Sequence, residues 1–216
     1  MALYEDFLSR VLIEVPGCAE ISAVQAVRDS CIEFCEKSLV LVRDHDPIFI
    51  RAGSVDYDLE PPAGYLVIKV MRAWLENAEL FPFSPDAVAD AAVYNRNFSS
   101  YQAAPSLPQR FLQKDERTVS VWPVPDKNYP NGMTLRVALK PTRSSTSVED
   151  VIFEEYAETI ASGALGRLML SAGKPYSSPQ AAVAHKALFM QGLNVARQRA
   201  GHGHTRSNLS VRLRRI

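Results

Sequence analysis

Cysteine is scarce in this chain: Cys18, Cys31 and Cys35 are the only three in 216 residues. That number excludes a disulfide-stapled scaffold, and with no charged-then-apolar leader at the N-terminus it predicts synthesis in a reducing cytoplasm. Cys31 and Cys35 stand one helical turn apart, a spacing able to present two ligands to a metal. No second Cys/His pair of matching spacing follows, so they are read as core residues and no metal or cofactor is expected. No apolar run approaches the ~20 residues of a membrane span, so no membrane partner is expected either.

Acidic residues are missing from one end. Residues 174–216 hold eight Lys and Arg and no Asp or Glu, leaving sixteen basic residues against all 24 acidic ones before them. The formal net charge of zero therefore conceals −8 before Lys174 and +8 from there on. Such polarity suits association with complementary surfaces, including neighbouring copies of the chain; the other reading is solvated helix and tail charge. The basic end has almost no interleaved aromatics, and the acidic body repels phosphate, which argues against sequence-specific nucleic-acid recognition.

Catalytic signatures are absent as well. There is no G-x-S-x-G elbow and no H-E-x-x-H. Gly166 to Gly173-Lys174 has too many residues between its glycines for a phosphate loop, and a Pro follows the Lys. Asp44-His45-Asp46 is the best acid/base candidate, but neighbours on a strand point to opposite faces, and a surface turn before Pro47 is the simpler reading. His202-Gly203-His204 offers two ligands, short of a closed metal site. No catalytic residue is assigned, and the protein is read as no enzyme.

What is present is a set of apolar stripes. Phe7, Leu8, Val11, Leu12 and Val15 predict a helix over residues 4–15 ending at Pro16-Gly17, and Ile21, Val24, Val27, Cys31, Phe34 and Cys35 predict another over 20–38. Ser147, with Asp150 three residues on, predicts an N-cap and a helix carrying Ile152, Tyr156, Ile160, Leu165 and Leu168. Within it the small run Ala161, Gly163, Ala164 invites close approach of another backbone, either inside the chain or across a subunit seam. Gly173-Lys174-Pro175 ends that helix. Ser178-Pro179 opens the next, with Phe189, Leu193 and Ala196 on one side and Gly201 at its close.

Between these ends the period changes to two. Strands are predicted at 39–42, 47–50, 65–71 and 134–140, and a hairpin joins 110–112 to 118–122 through Lys114-Asp115-Glu116. Ser84-Pro85-Asp86 predicts a helix through about Tyr94. The expected fold class is α+β: a helical bundle built from N- and C-terminal helical hairpins, an inserted antiparallel β-rich region, and an extended C-terminal tail. The boundaries are 1–38 and 147–203 for the bundle, 39–146 for the β-rich insertion and 204–216 for the tail. In the tail Leu209, Val211 and Leu213 alternate with Ser210, Arg212 and Arg214, a strand-like pattern able to add to a partner's sheet edge; the other reading is an unstructured, solubilising end.

Phe7-Leu8, Glu14-Val15-Pro16-Gly17-Cys18, Glu33-Phe34-Cys35, Asp46-Pro47-Ile48, Tyr57-Asp58-Leu59 with Pro61-Pro62, and Glu155-Tyr156 through Ile160 to Leu165 stand in order along the chain. In that order and spacing the chain resembles the head-to-tail adaptor (connector) proteins of tailed phages, the tail tubular protein A-like family. The resemblance covers most of residues 4–200. It implies a structural virion protein at the head-tail junction, made in the host cytoplasm and assembled as a dodecameric ring. Such a ring docks on the portal protein, helps retain the packaged DNA that passes through its channel, and is the platform for a tail nozzle or other tail proteins. Family members grip the portal with a C-terminal extension. The matching segment is Ser207 to Ile216, with Leu209, Val211 and Leu213 as packing contacts and Arg212, Arg214 and Arg215 as charge contacts. The alternative is a DNA-binding accessory protein using the basic C-terminal end.

Overall fold

The computed structural model describes residues 1–83 and 105–202. The chain divides into two compact units, residues 41–145 and residues 1–40 with 146 onward.

Residues 41–145 carry a seven-stranded sheet in the order β2-β8-β4-β5-β6-β7-β3. The strands are β2 (Val42–Ile50), β3 (Asp56–Asp58), β4 (Tyr65–Leu75), β5 (Ala78–Pro82), β6 (Arg110–Gln113), β7 (Thr118–Trp122) and β8 (Tyr129–Pro141). At its centre the long strands β4 and β8 pair antiparallel from Tyr65↔Pro141 to Leu75↔Met133, with register shifts that bend the ladder. Glu76 and Asn77, at φ 50° and 65°, make the left-handed two-residue turn that leads β4 into β5. β5 and β6 are parallel, so the sheet is mixed. Only residues 51–55 separate β2 from β3, yet these strands stand at opposite ends of the strand order. So short a link spans at most about 18 Å. The sheet must therefore curl until its edges nearly meet, and Val67, Leu80, Val119, Met133, Leu135 and Leu139 fill it.

Pro47 lies inside β2 because an edge strand has one side on which a missing N–H costs nothing. Exposed Asp44 and Asp46 on the same strand discourage edge-to-edge pairing with other chains. At the other edge, Asp56 accepts hydrogen bonds from Lys114 Nζ at 2.6 Å and Ser120 Oγ at 2.6 Å. The Lys114 hydrogen bond, then that of Ser120, holds the carboxyl below the usual aspartate range. A lowered folded-state value stabilises the fold above the ordinary aspartate pKa near 4, and that contribution is lost as the pH falls through the folded value. Asp56→Asn is accordingly expected to cost about 0.5 kcal/mol at pH 7, since the pair is half exposed, with the difference from wild type vanishing in acid. Urea midpoints followed from pH 7 down into acid check this.

The other unit contains β1 (Ala2–Leu3), α1 (Leu8–Val11), α2 (Glu20–Ser38), β9 (Ser147–Val148), α3 (Asp150–Leu168) and α4 (Pro179–His202). Its core is aromatic: Phe34 lies 5.0 Å from Tyr156 and 6.4 Å from Phe189 between ring centroids, and Phe7 meets Phe153 edge-on at 4.9 Å. α4 starts as Ser178-Pro179 predicts, with Ser178 Oγ accepting the Ala181 N–H at 3.4 Å, but it continues through Gly201 to His202.

The expected fold class is overturned. With a seven-stranded, nearly closed mixed sheet as its largest element, the protein has a β-rich fold, not a helical bundle of two hairpins with an antiparallel insertion. No helix spans 4–15. Leu3 is held extended by pairing with Ser147, the Asp6 carboxylate accepts the Leu3 N–H at 2.8 Å, and the chain then makes a 3-10 turn over Tyr4–Phe7 before the four residues of α1. Tyr4, Phe7, Leu8, Val11 and Val15 are buried, so their period reported burial rather than one helix. Ser147 is no N-cap either, because β9 pairs with β1 and Glu149 takes the cap position of α3. The strand expected at 47–50 is the end of a longer one, β2, which begins at Val42, where the strand expected at 39–42 was to stop. The helix expected at 84–94 and the extended tail at 204–216 lie outside the described residues.

Candidate interaction surface

Small side chains set how closely α3 and α4 approach. They run antiparallel, and a Cβ built on Gly163 would stand 2.7 Å from Phe189 Cδ2 and 3.0 Å from Ser30 Oγ. α3 is therefore in close contact there with α4 and α2 at once. Ala161 and Ala164 are buried on the same helix. Further along, a Cβ on Gly192 would stand 3.0 Å from the Cβ of Thr159. Of the residues expected to pack closely, Gly163 thus faces Phe189 and Ser30, while Ala161 and Ala164 are buried.

Beside that close crossing a groove of about 440 Å³ runs between the two helices. Tyr156, Thr159 and Gly192 line it, Leu188 and Val195 border it at 54% and 45% exposure, and Glu155 and Arg199 face each other across it at 3.4 Å. Neither apolar side chain is covered by the described residues, although α4 buries Phe189, Leu193 and Ala196 on its other side. Ion pairs brace the helices: Arg167 of α3 holds Glu33 of α2, Lys37 holds the same carboxylate at 2.5 Å, and Arg10 reaches Glu158 at 2.8 Å.

The chemical candidates find structural employment. His45 lies in β2 rather than in a turn. Its Nδ1 sits 2.7 Å from the Asp46 carbonyl and must donate to it, while Nε2 accepts the Glu60 N–H at 3.0 Å. Both nitrogens are engaged with backbone, which leaves neither for a substrate. Asp44 is bound by Arg136 across the ladder at 2.8 and 3.2 Å. Cys31 and Cys35 are fully buried, and burial pushes both thiols up, Cys35 to about 12, so they remain protonated and pack as small apolar groups. Among the described residues no group of three His, Cys, Asp or Glu side chains could hold a metal, and no helix is long and apolar enough to cross a membrane. His202 is the last described residue of α4, while Gly203 and His204 lie outside the described residues. So do Leu209, Val211, Arg212, Leu213, Arg214 and Arg215.

Among the described residues the geometry offers a braced helical unit, an uncovered groove and a curled sheet. The family model described as SU10 adaptor protein matches residues 3–213. The chain belongs to the SU10 adaptor protein family. It is thus a structural head-to-tail adaptor of a bacteriophage virion, with a role in tail assembly. A search of curated proteins finds no match. The adaptor match takes in the basic stretch to residue 213, which the charge count alone had marked out as different from the body. Sequence reasoning missed the groove on this adaptor. The exposed Leu188 and Val195, seven residues apart on α4, were the available signal, hidden because the predicted stripe stopped at Phe189, Leu193 and Ala196.

Proposed function

We propose that the adaptor assembles as a ring, dodecameric by the family resemblance, that docks on the portal, helps retain packaged DNA and receives a tail nozzle or other tail proteins. Residues 207–216 are the portal grip, with Leu209, Val211 and Leu213 filling pockets and Arg212, Arg214 and Arg215 pairing with acidic groups. The observation that carries this reading is the reach of the family match to residue 213, into a segment without acidic residues. The domain division carried forward is 1–38 with 147–203, an insertion at 39–146, and the tail.

Ring closure needs heterologous contacts, two different patches on each subunit. We assign Ala161, Gly163 and Ala164 to packing inside the chain, since a Cβ at Gly163 would already meet Phe189 and Ser30. The seam then falls to exposed charge, acidic on one side and basic on the other.

The test is the mass of the purified protein alone and mixed with the portal ring of the same phage, by mass photometry. The expected result is a complex carrying about one adaptor per portal subunit. Should the protein ignore the portal at every salt concentration and instead bind DNA with a steep salt dependence, the DNA-binding accessory reading would replace this one.

A further inference from the structure

The α3/α4 groove is uncovered, and it lies next to the point where the described chain ends. α4 is described as far as His202, and Arg199, one turn earlier, already lies at the groove's edge. From there Val195 and Leu188 follow along the same side of α4, at about 6 and 16 Å from Arg199 given a helical rise of 1.5 Å per residue. Their exposure, 45% and 54%, marks them as apolar side chains that the described residues leave to solvent. Glu155 and Glu158 of α3 line the opposite wall, both exposed, with one contact each to Arg199 and Arg10 and carboxylate oxygens left facing solvent.

The residues that follow α4 have the complementary composition. Residues 203–216 contain Arg206, Arg212, Arg214 and Arg215 and no acidic side chain, with Leu209, Val211 and Leu213 at alternate positions. In extended form Leu209 to Leu213 spans about 13 Å, against about 10 Å from Val195 to Leu188. Reversing direction at Gly203 uses a few residues, and the six from there to Leu209 reach about 20 Å, ample to return from His202 to Val195. One face of such a strand would present leucine and valine to the groove, and the arginines on the other are long enough to bend to the acidic rim.

We propose that the C-terminal segment of the same chain, residues 203–216, folds back into this groove, with Leu209 near Val195 and Leu213 near Leu188. The groove is then the resting place of the tail, and any partner that takes the tail must draw it out. The inference stands on groove and tail alone and needs no portal. If the portal reading also holds, release of the tail becomes the step at which a free subunit turns into a docked one, which keeps the grip covered until a portal competes for it.

The test is a pair of disulfide traps in the full-length protein carrying Cys18→Ser, since Cys31 and Cys35 are buried. One variant carries Leu188→Cys with Leu213→Cys. The other carries Met190→Cys with Leu213→Cys, which puts the second thiol at the same height on α4 but on the opposite flank, about 200° round the helix. Both host positions are exposed, so neither change strains the fold. Under mild oxidation at micromolar protein, non-reducing electrophoresis and intact mass are expected to show the intrachain disulfide at residue 188 in at least tenfold excess over residue 190. Equal yields would mean an undocked tail and overturn the proposal. A dimeric product at residue 188 would overturn it too, by placing the tail in a neighbour's groove. No portal enters the assay, so its failure is separate from a failure of portal binding.

Discussion

Gly163→Val is expected to lower the unfolding free energy by about 3 kcal/mol, the upper end of the range for overpacking a well-filled core. The substitution carries a helix-propensity advantage of a few tenths of a kcal/mol over glycine, so a loss must come from packing. That packing is specific: the new Cβ would lie 2.7 Å from Phe189 Cδ2 and 2.9 Å from its Cε2, with Ser30 Oγ at 3.0 Å on the other side. Neither neighbour yields easily. Phe189 is buried and tilted against Phe34, and Ser30 is buried with its hydroxyl given to the Ala26 carbonyl at 2.8 Å. Gly201→Ala makes the control, because a Cβ there meets nothing within 4 Å, and it is expected to be neutral or slightly stabilising. Urea denaturation of both variants decides the matter; a loss below about 1 kcal/mol for Gly163→Val would mean that α3 and α4 are free to move apart.

Deleting residues 205–216 is expected to leave the protein folded, lowering that urea midpoint only by what the docked tail contributes, and to remove the portal complex altogether at micromolar protein. The deletion takes away Leu209, Val211 and Leu213, each worth about 1.5 kcal/mol or more when buried at an interface, together with four arginines. About 4.5 kcal/mol is a loss of more than a thousandfold in affinity before any charge is counted. A truncated protein that still joins the portal at the wild-type ratio would refute the tail as the grip. An unchanged midpoint, in contrast, would speak against a tail docked on its own helices.

Where a residue's role is decided by its near neighbours in sequence, the chain was readable. The β6–β7 pair follows from two β-rich runs around Lys114-Asp115-Glu116, and the start of α4 follows from Ser178-Pro179. Roles decided by distant partners were not. Ser147 has every local feature of a helix cap, but Leu3 claims it as a strand partner. Pro47 breaks the alternation of β2 into two apparent pieces, and only its place at an edge reconciles it with a single strand. The parallel β5–β6 pair and the near-closure of the sheet join segments whose sequences say nothing about each other. Surface function was half legible: charge singled out the basic end, yet the groove beside it needed the helices in three dimensions.

The division of the chain also imposes a timetable on its birth. The unit formed by residues 1–40 and 146 onward is interrupted in sequence by the other, which is continuous. As the chain leaves the ribosome, α2 appears early, but the aromatic partners of its Phe34, Tyr156 and Phe189, are still to be made. At about 5–20 residues per second, the interval before α4 is complete is on the order of ten seconds. Throughout it the buried face of α2 lacks these partners, while residues 41–145 form a unit continuous in sequence. Nascent chains stalled before residue 150 should therefore expose α2 to proteases and chaperones beside an already formed sheet.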